Sequence, residues 1–172
     1  MKCLAKSELF LALAVVSSLA RAVDCQNIPP SNPDSAYQTH GDGTATDTRS
    51  GLVWKRCSEG QSWTGSTCSG TASGHTWNQA LALAEASTFA GHADWRLPNI
   101  KELTSLIEEC RDAPAINNTL FPNTPNSFFW SGSPDASHPS DTWYVQFHFG
   151  DGGSYSRSGA LPFQVRLVRS EQ

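Results

Sequence analysis

The chain has no cluster of lysines or arginines: its 12 basic residues are scattered among 172 positions and are outnumbered by 16 acidic ones. A protein holds a polyanion through a patch of such charges. Nucleic acid is therefore excluded as a partner, and so is docking on an anionic membrane surface. No second long apolar run follows the N-terminal one, which excludes membrane insertion of the body of the protein. No CxxC and no histidine pair at ligand spacing occurs, so a zinc site has little support. G-x-S-x-G, H-E-x-x-H and the phosphate-binding P-loop are all missing, so no familiar catalytic motif is present. No unit recurs at a period of roughly 20–50 residues, which excludes solenoids and propellers.

What is present begins with an export signal. Lys2 and Lys6 precede an apolar run over 9–20, and Ala20-Arg21-Ala22 supplies a small-x-small cleavage site. This order reads as a secretory signal peptide over 1–22. The mature chain would then span 23–172, long enough for one domain with a real core. The signal removes Lys2, Lys6, Arg21 and Glu8, so a net charge of −4 becomes −6. The expected location is periplasmic, or extracellular at the cell surface. Cys25 follows the apolar run, but Arg21-Ala22-Val23-Asp24 is a poor context for lipoprotein cleavage.

Four cysteines remain, an even number that suggests two disulfides in an oxidising compartment. Four permit three pairings. Cys57–Cys68 is favoured because the segment between them is short and rich in Gly, Ser and Thr. Cys25 would then pair with Cys110 and staple the N-terminal arm to the body, contributing roughly 3–5 kcal/mol on the chain-entropy account.

Residues 23–40 are Pro-rich and polar, and read as an extended arm. Residues 42–57 read as a β-hairpin turning at 47–51, with Leu52 and Trp54 on its buried face. Thr76 and Gln79 form a capping-box pattern, and Trp77, Leu81, Ala84 and Thr88 share one helical face, giving a helix over 77–87. Asn99 and Glu102 cap a second helix over 100–109, with Ile100, Leu103, Leu106, Ile107 and Cys110 on one face. A long irregular segment rich in Asn, Pro, Ser and Gly follows over 112–139. Residues 142–149 alternate, with Trp143, Val145, Phe147 and Phe149 inward; 150–153 is a turn; 163–169 alternate again, with Phe163, Val165 and Leu167 inward. The expected class is α+β, with two helices packed on antiparallel strands and a long irregular loop region.

Four ordered motifs carry a resemblance. They are Asp42-Gly43-Thr44 with Gly51-Leu52-Val53-Trp54; Trp95-Arg96-Leu97-Pro98-Asn99-Ile100-Lys101-Glu102-Leu103; Phe121-Pro122-Asn123-Thr124 with Trp130-Ser131-Gly132-Ser133; and Val165-Arg166-Leu167-Val168-Arg169. Together they resemble the Lcl C-terminal domain family, named for the C-terminal domain of the Legionella collagen-like adhesin, and cover 41–170 as one domain. The resemblance implies a C-type-lectin-like fold in an exported bacterial protein. The adhesin implies attachment through sulfated polysaccharides. This chain has no Gly-x-y region and is acidic, whereas sulfate recognition calls for clustered Arg and Lys.

The expected function is a non-enzymatic recognition module for a polysaccharide or a surface protein. The alternative is a structural or assembly subunit, as a homo-oligomer or in a surface complex, with the arm donating contacts. A hydrolase built on His92/Asp94 or His138/Asp141 ranks last. Ligand contact is expected in the 130–160 loops, from Trp130, Asp135, Asp141, Tyr144, Asp151, Tyr155 and Arg157. No cofactor is expected. Ca²⁺ among the aspartates is weighed and not favoured, because Asp, Ser, Gly and Pro make turns unaided and the Glu-Pro-Asn and Trp-Asn-Asp signatures are absent. Trp95 and Arg96 read as a stacked structural pair, and Trp130 and Trp143 as core. Asn117-Asn118-Thr119 matches a glycosylation sequon and reads as a turn.

Overall fold

Asp47 closes the first hairpin. Its backbone carbonyl accepts the Gly51 N–H at 2.8 Å, and its carboxylate accepts both the Arg49 N–H at 3.0 Å and Nε at 2.9 Å. The computed structural model describes Cys25 and residues 27–171; the expected signal peptide lies outside them. The hairpin strands β2 (Thr44–Asp47) and β3 (Leu52–Lys55) belong to a four-stranded antiparallel sheet, with β1 (Tyr37–Thr39) outside β2 and β9 (Val168–Ser170) beside β3. The arm is thus shorter than expected, since its last residues form an edge strand. Trp54 is fully buried and Leu52 only half-buried, while Val53 is also buried. The reason is that β3 is an inner strand with a core cluster on each face: Trp54 packs in one and Val53 in the other.

A ribbon of β4 (Ser62–Trp63) and β5 (Cys68–Ser69) follows, and Cys57–Cys68 pins it to the body. Helix α1 (Trp77–Ala86) starts in the expected capping box of Thr76 and Gln79. Its buried face is Ala80 and Ala84, with Trp77 half-buried, and Leu81 is 37 % exposed. The face is rotated from the expected one because small alanines let the helix lie close to the aromatic residues of the second cluster.

Helix α2 (Ile100–Thr104) also has its capping box, from Asn99 and Glu102, but stops well short of 109. Ile107 leaves the helix to bridge Ile116, and the Glu108 N–H donates to the Ala115 carbonyl at 3.1 Å. That departure frees the fully buried Glu108 carboxylate to hold the arm. It accepts the Ser31 N–H at 2.7 Å, the Ser31 hydroxyl at 2.8 Å and the Asn32 N–H at 2.9 Å. Cys25–Cys110 fastens the same place covalently, so both expected disulfides form.

The segment expected to be irregular contains β6 (Phe128–Pro134). It pairs with β7 (Asp141–Gln146), which pairs with β8 (Asp151–Ser156), in an antiparallel meander. The turn lies at 147–150 rather than 150–153. Phe149 consequently sits on the turn, 69 % exposed, instead of facing inward, while Val145 and Phe147 are buried as expected.

Residues 163–169 join the two sheets. Phe163 bridges His75, the Gln164 N–H donates to the Phe128 carbonyl, and the Val165 and Leu167 carbonyls accept the Glu59 and Lys55 N–H groups. In their midst Arg166 is fully buried. Its guanidinium donates to the Lys55 and Arg56 carbonyls and, at 2.7 Å, to the Thr124 hydroxyl, and lies 4.8 Å from the Phe121 ring centre. Burial pushes its pKa down to about 9, so it is charged at neutral pH.

Two outcomes follow. Arg166→Met should cost about 3 kcal/mol by leaving buried carbonyls without a donor, about 10 °C in thermal midpoint for a domain of this size. A midpoint within about 2 °C of the parent would refute that role. Burial, then the nearby Asp47 carboxylate, raises the Tyr37 phenol to about 12. The folded value exceeds the unfolded one, so this contribution is complete below about pH 10 and lost as pH rises toward 12. Phenolate absorbance should show a late component that Tyr37→Phe removes.

Candidate functional site

The meander places aromatic side chains on one face by register. Trp130 lies opposite Tyr144, Tyr144 opposite Gly153, and Thr142 opposite Tyr155. Cross-strand partners share a face, so Trp130, Tyr144 and Tyr155 converge. Phe163 from the joining segment packs beneath them. Its ring centre is 4.2 Å from Trp130, 5.0 Å from Phe128, 5.3 Å from Tyr144 and 5.4 Å from Tyr155.

Burial sorts these rings. Trp130 is fully buried, and its indole N–H donates to the His75 carbonyl at 2.7 Å. It cannot offer a face to a ligand, which corrects the expectation that it contacts one and confirms it as core. Phe128, Tyr144 and Tyr155 are half-buried, as is Trp77. Among the described residues neither tyrosine hydroxyl makes a hydrogen bond. The Trp77 N–H donates to the Ser131 carbonyl at 3.0 Å, and the Arg157 guanidinium lies 5.4 Å from its ring centre. The result is a platform of rigid rings with two unengaged hydroxyls and a cation at its border.

Two glycines make room for it. A Cβ at Gly153 would stand 2.7 Å from the Tyr144 hydroxyl, and one at Gly159 would stand 2.3 Å from a Tyr155 ring carbon. Each tyrosine therefore lies close against backbone that carries no side chain.

The aspartates do something else. Asp135 is buried, and the Ser137 N–H, the Ser154 hydroxyl and His138 hold its carboxyl below the usual carboxylate range. It braces the β6–β7 turn. Asp141 accepts the Ser140 hydroxyl at 2.9 Å, and Asp151 is exposed at the start of β8. These three do not converge as a ligand set. Among the described residues, the one group of three candidate metal ligands in mutual reach is Cys25, Glu108 and Cys110, and its cysteines are joined in a disulfide.

Three of the four groups named for hydrolysis, Asp94, His138 and Asp141, are engaged elsewhere. Asp94 accepts Arg169 Nε at 2.8 Å, and this hydrogen bond holds its carboxyl low. His138 lies 3.1 Å from Asp135. Trp95 and Arg96 are structural, but not as a stack. The Trp95 N–H donates to the Phe89 carbonyl at 2.9 Å, while Arg96 makes a two-pronged pair with Glu102 at 2.7 and 2.8 Å. Trp143 is half-buried on the opposite face of β7 rather than fully in the core.

Sequence reasoning missed Phe128, Phe163 and Trp77 as parts of the platform. The period-2 spacing of Phe128 and Trp130 marked a strand and was hidden by the turn-forming residues around it.

Gly159→Ala should displace the Tyr155 ring, costing about 1–2 kcal/mol by overpacking and altering the near-ultraviolet circular dichroism. An unchanged spectrum and midpoint would show that the close approach has no consequence.

Curated proteins include no match to this chain. The Lcl C-terminal domain profile matches residues 43–169, from just before β2 into β9. The chain belongs to the Lcl C-terminal domain family.

Proposed function

We propose that this is an exported, non-enzymatic recognition module of C-type-lectin-like fold that binds a polysaccharide through the Tyr144–Tyr155 platform. The observation that carries this reading is the pair of half-buried tyrosines held close against glycine backbone on one sheet face, with hydroxyls that make no hydrogen bond among the described residues. A pyranose presents an apolar C–H face ringed by hydroxyls. A fixed aromatic ring covers the first, and phenol groups meet the second, with little side-chain entropy lost on binding.

Charge narrows the ligand. The chain is acidic overall, and Arg157 is the one cation at the platform among the described residues. A neutral or lightly charged polysaccharide fits better than a densely sulfated one, whose sulfates call for several clustered arginines. Two disulfides suit an oxidising compartment, consistent with export. Recognition needs no cofactor on this reading, since Asp135, Asp141 and Asp151 do not converge as a ligand set among the described residues. A surface protein is the other ligand class such a platform could take. The role of an assembly subunit with a donated arm draws less support, because Ser31, Asn32 and β1 are committed within the chain.

The test is binding of oxidised, periplasmically produced protein to immobilised bacterial and host polysaccharides, with calcium and again with EDTA. Saturable binding that ignores EDTA and weakens about tenfold in Tyr144→Phe/Tyr155→Phe is expected. These substitutions remove only the hydroxyls, so the midpoint should hold. Binding abolished by EDTA would replace the platform with a metal-bridged site. No binding to any polysaccharide, from protein with both disulfides formed, would reject the reading.

A further inference from the structure

Strand β8 is an outer strand of its sheet and pairs with β7 alone. Its sequence, Asp-Gly-Gly-Ser-Tyr-Ser, contains neither the lysine nor the proline that commonly blocks an exposed edge, and no bulge interrupts its six-residue register with β7. Its outer row of backbone N–H and C=O groups has no ladder partner among the described residues, the Ser156 carbonyl alone being met by the Gly159 N–H of the following turn at 3.0 Å.

Exposed apolar side chains stand at both ends of this strand. Phe149, just ahead of β8, is 69 % exposed, and Leu161, just beyond it, is 52 % exposed; only Ile28 and Leu81 join them as large exposed apolar residues among those described. Charges of opposite sign flank the strand as well. The Asp151 side chain makes no hydrogen bond or ion pair among the described residues. The Arg157 side chain makes one long hydrogen bond, from Nε to the Ser140 carbonyl at 3.4 Å, leaving its terminal nitrogens free of hydrogen bonds among those residues.

We infer that β8 is a homodimer edge, on which the β8 strand of a second copy pairs antiparallel about a two-fold axis at Ser154. That register is self-complementary. Asp151 of each copy falls opposite Arg157 of the other, making two symmetric ion pairs on the platform face. Gly153 falls opposite the other copy's Tyr155, so no two bulky side chains collide at the centre. Phe149 of one copy arrives at the end where the other carries Leu161, so each exposed apolar group gains a cover. An isologous contact of this kind closes on itself and does not propagate into fibres. The product is a continuous six-stranded sheet. It would carry both tyrosine platforms on one face and present two sites to one long polysaccharide. The dimer does not depend on that ligand.

The test is sedimentation equilibrium of the oxidised chain, without saccharide, from roughly 1 μM to 1 mM. Twice the monomer mass at the upper end, dissociating on dilution, is expected. Asp151→Arg and Arg157→Asp should each weaken association at least tenfold, and the double charge swap should restore it to within about threefold. A monomer across the whole range would overturn the proposal, as would a dimer indifferent to both single reversals. Hydrogen exchange on the unaltered protein gives a reading free of folding effects. The outward amides of 152, 154 and 156 should gain protection as concentration rises, and unchanged protection would equally overturn it.

Discussion

The buried Arg166 guanidinium is the contact on which the arrangement of the two sheets depends. A charged group of this size taken out of water is tolerated only where every neighbour supplies an acceptor or a π-face. Carbonyls of 55 and 56 and the hydroxyls of Ser58 and Thr124 meet its two terminal nitrogens, and the Phe121 and Phe129 rings lie along it, while Nε has no hydrogen-bond partner among the described residues. These groups come from the exit of β3, from the long connection before β6 and, for Phe129, from β6 itself. Arg56 repeats the device from the other side, donating to the Leu120 and Thr119 carbonyls while lying 4.2 Å from the Trp63 ring centre. Two arginines thus fix a region that has little regular structure of its own. Once that region is fixed, the C-terminal segment runs between the sheets and Phe163 reaches the aromatic face.

The sequence was most informative where a local rule decides the outcome. Both capping boxes, the turn at 47–51, both disulfide pairings and the inward set Phe163, Val165 and Leu167 were legible, because each depends on residues a few positions apart or on parity of cysteines. The length of α2 was not legible. Leu106, Ile107 and Cys110 keep a helical period, yet Ile107 is taken by a bridge to Ile116 and Cys110 by the arm. Strand β6 was hidden by its serines, glycine and proline, which favour turns in isolation and are overruled by pairing with β7. Long-range partners decided both cases, and nothing in the local pattern announces them.

The candidate site was half legible for a similar reason. Tyr144, Tyr155 and Arg157 lie together as a group, since alternation along β7 and proximity in sequence foreshadow it. Trp130 shares their face but sits one layer deeper, and an aromatic residue in a strand carries no sign of which layer it occupies. The aspartates illustrate the opposite confusion. A carboxylate that braces a turn and one that awaits a cation have the same neighbours in sequence, and only burial and donors separate them. Asp135, buried and accepting from Ser137, Ser154 and His138, belongs to the first kind.

The Cys25–Cys110 bridge also sets a path for mechanical load. A pull on the chain ahead of Cys25 does not begin by peeling β1 from β2, whose hydrogen bonds would otherwise break in succession like the teeth of a zipper. It passes through sulfur into the backbone at Cys110, bypassing the 85-residue span between the two cysteines. Everything inside that span, including the hairpin, both helices and the Cys57–Cys68 ribbon, is shielded from tension applied at that end. The strands after Cys110 would bear the force instead, and they include the sheet that carries the aromatic face. A domain wired this way would spare β1 to β3 from tension entering at that end and pass it to the strands after Cys110, the meander and β9 among them.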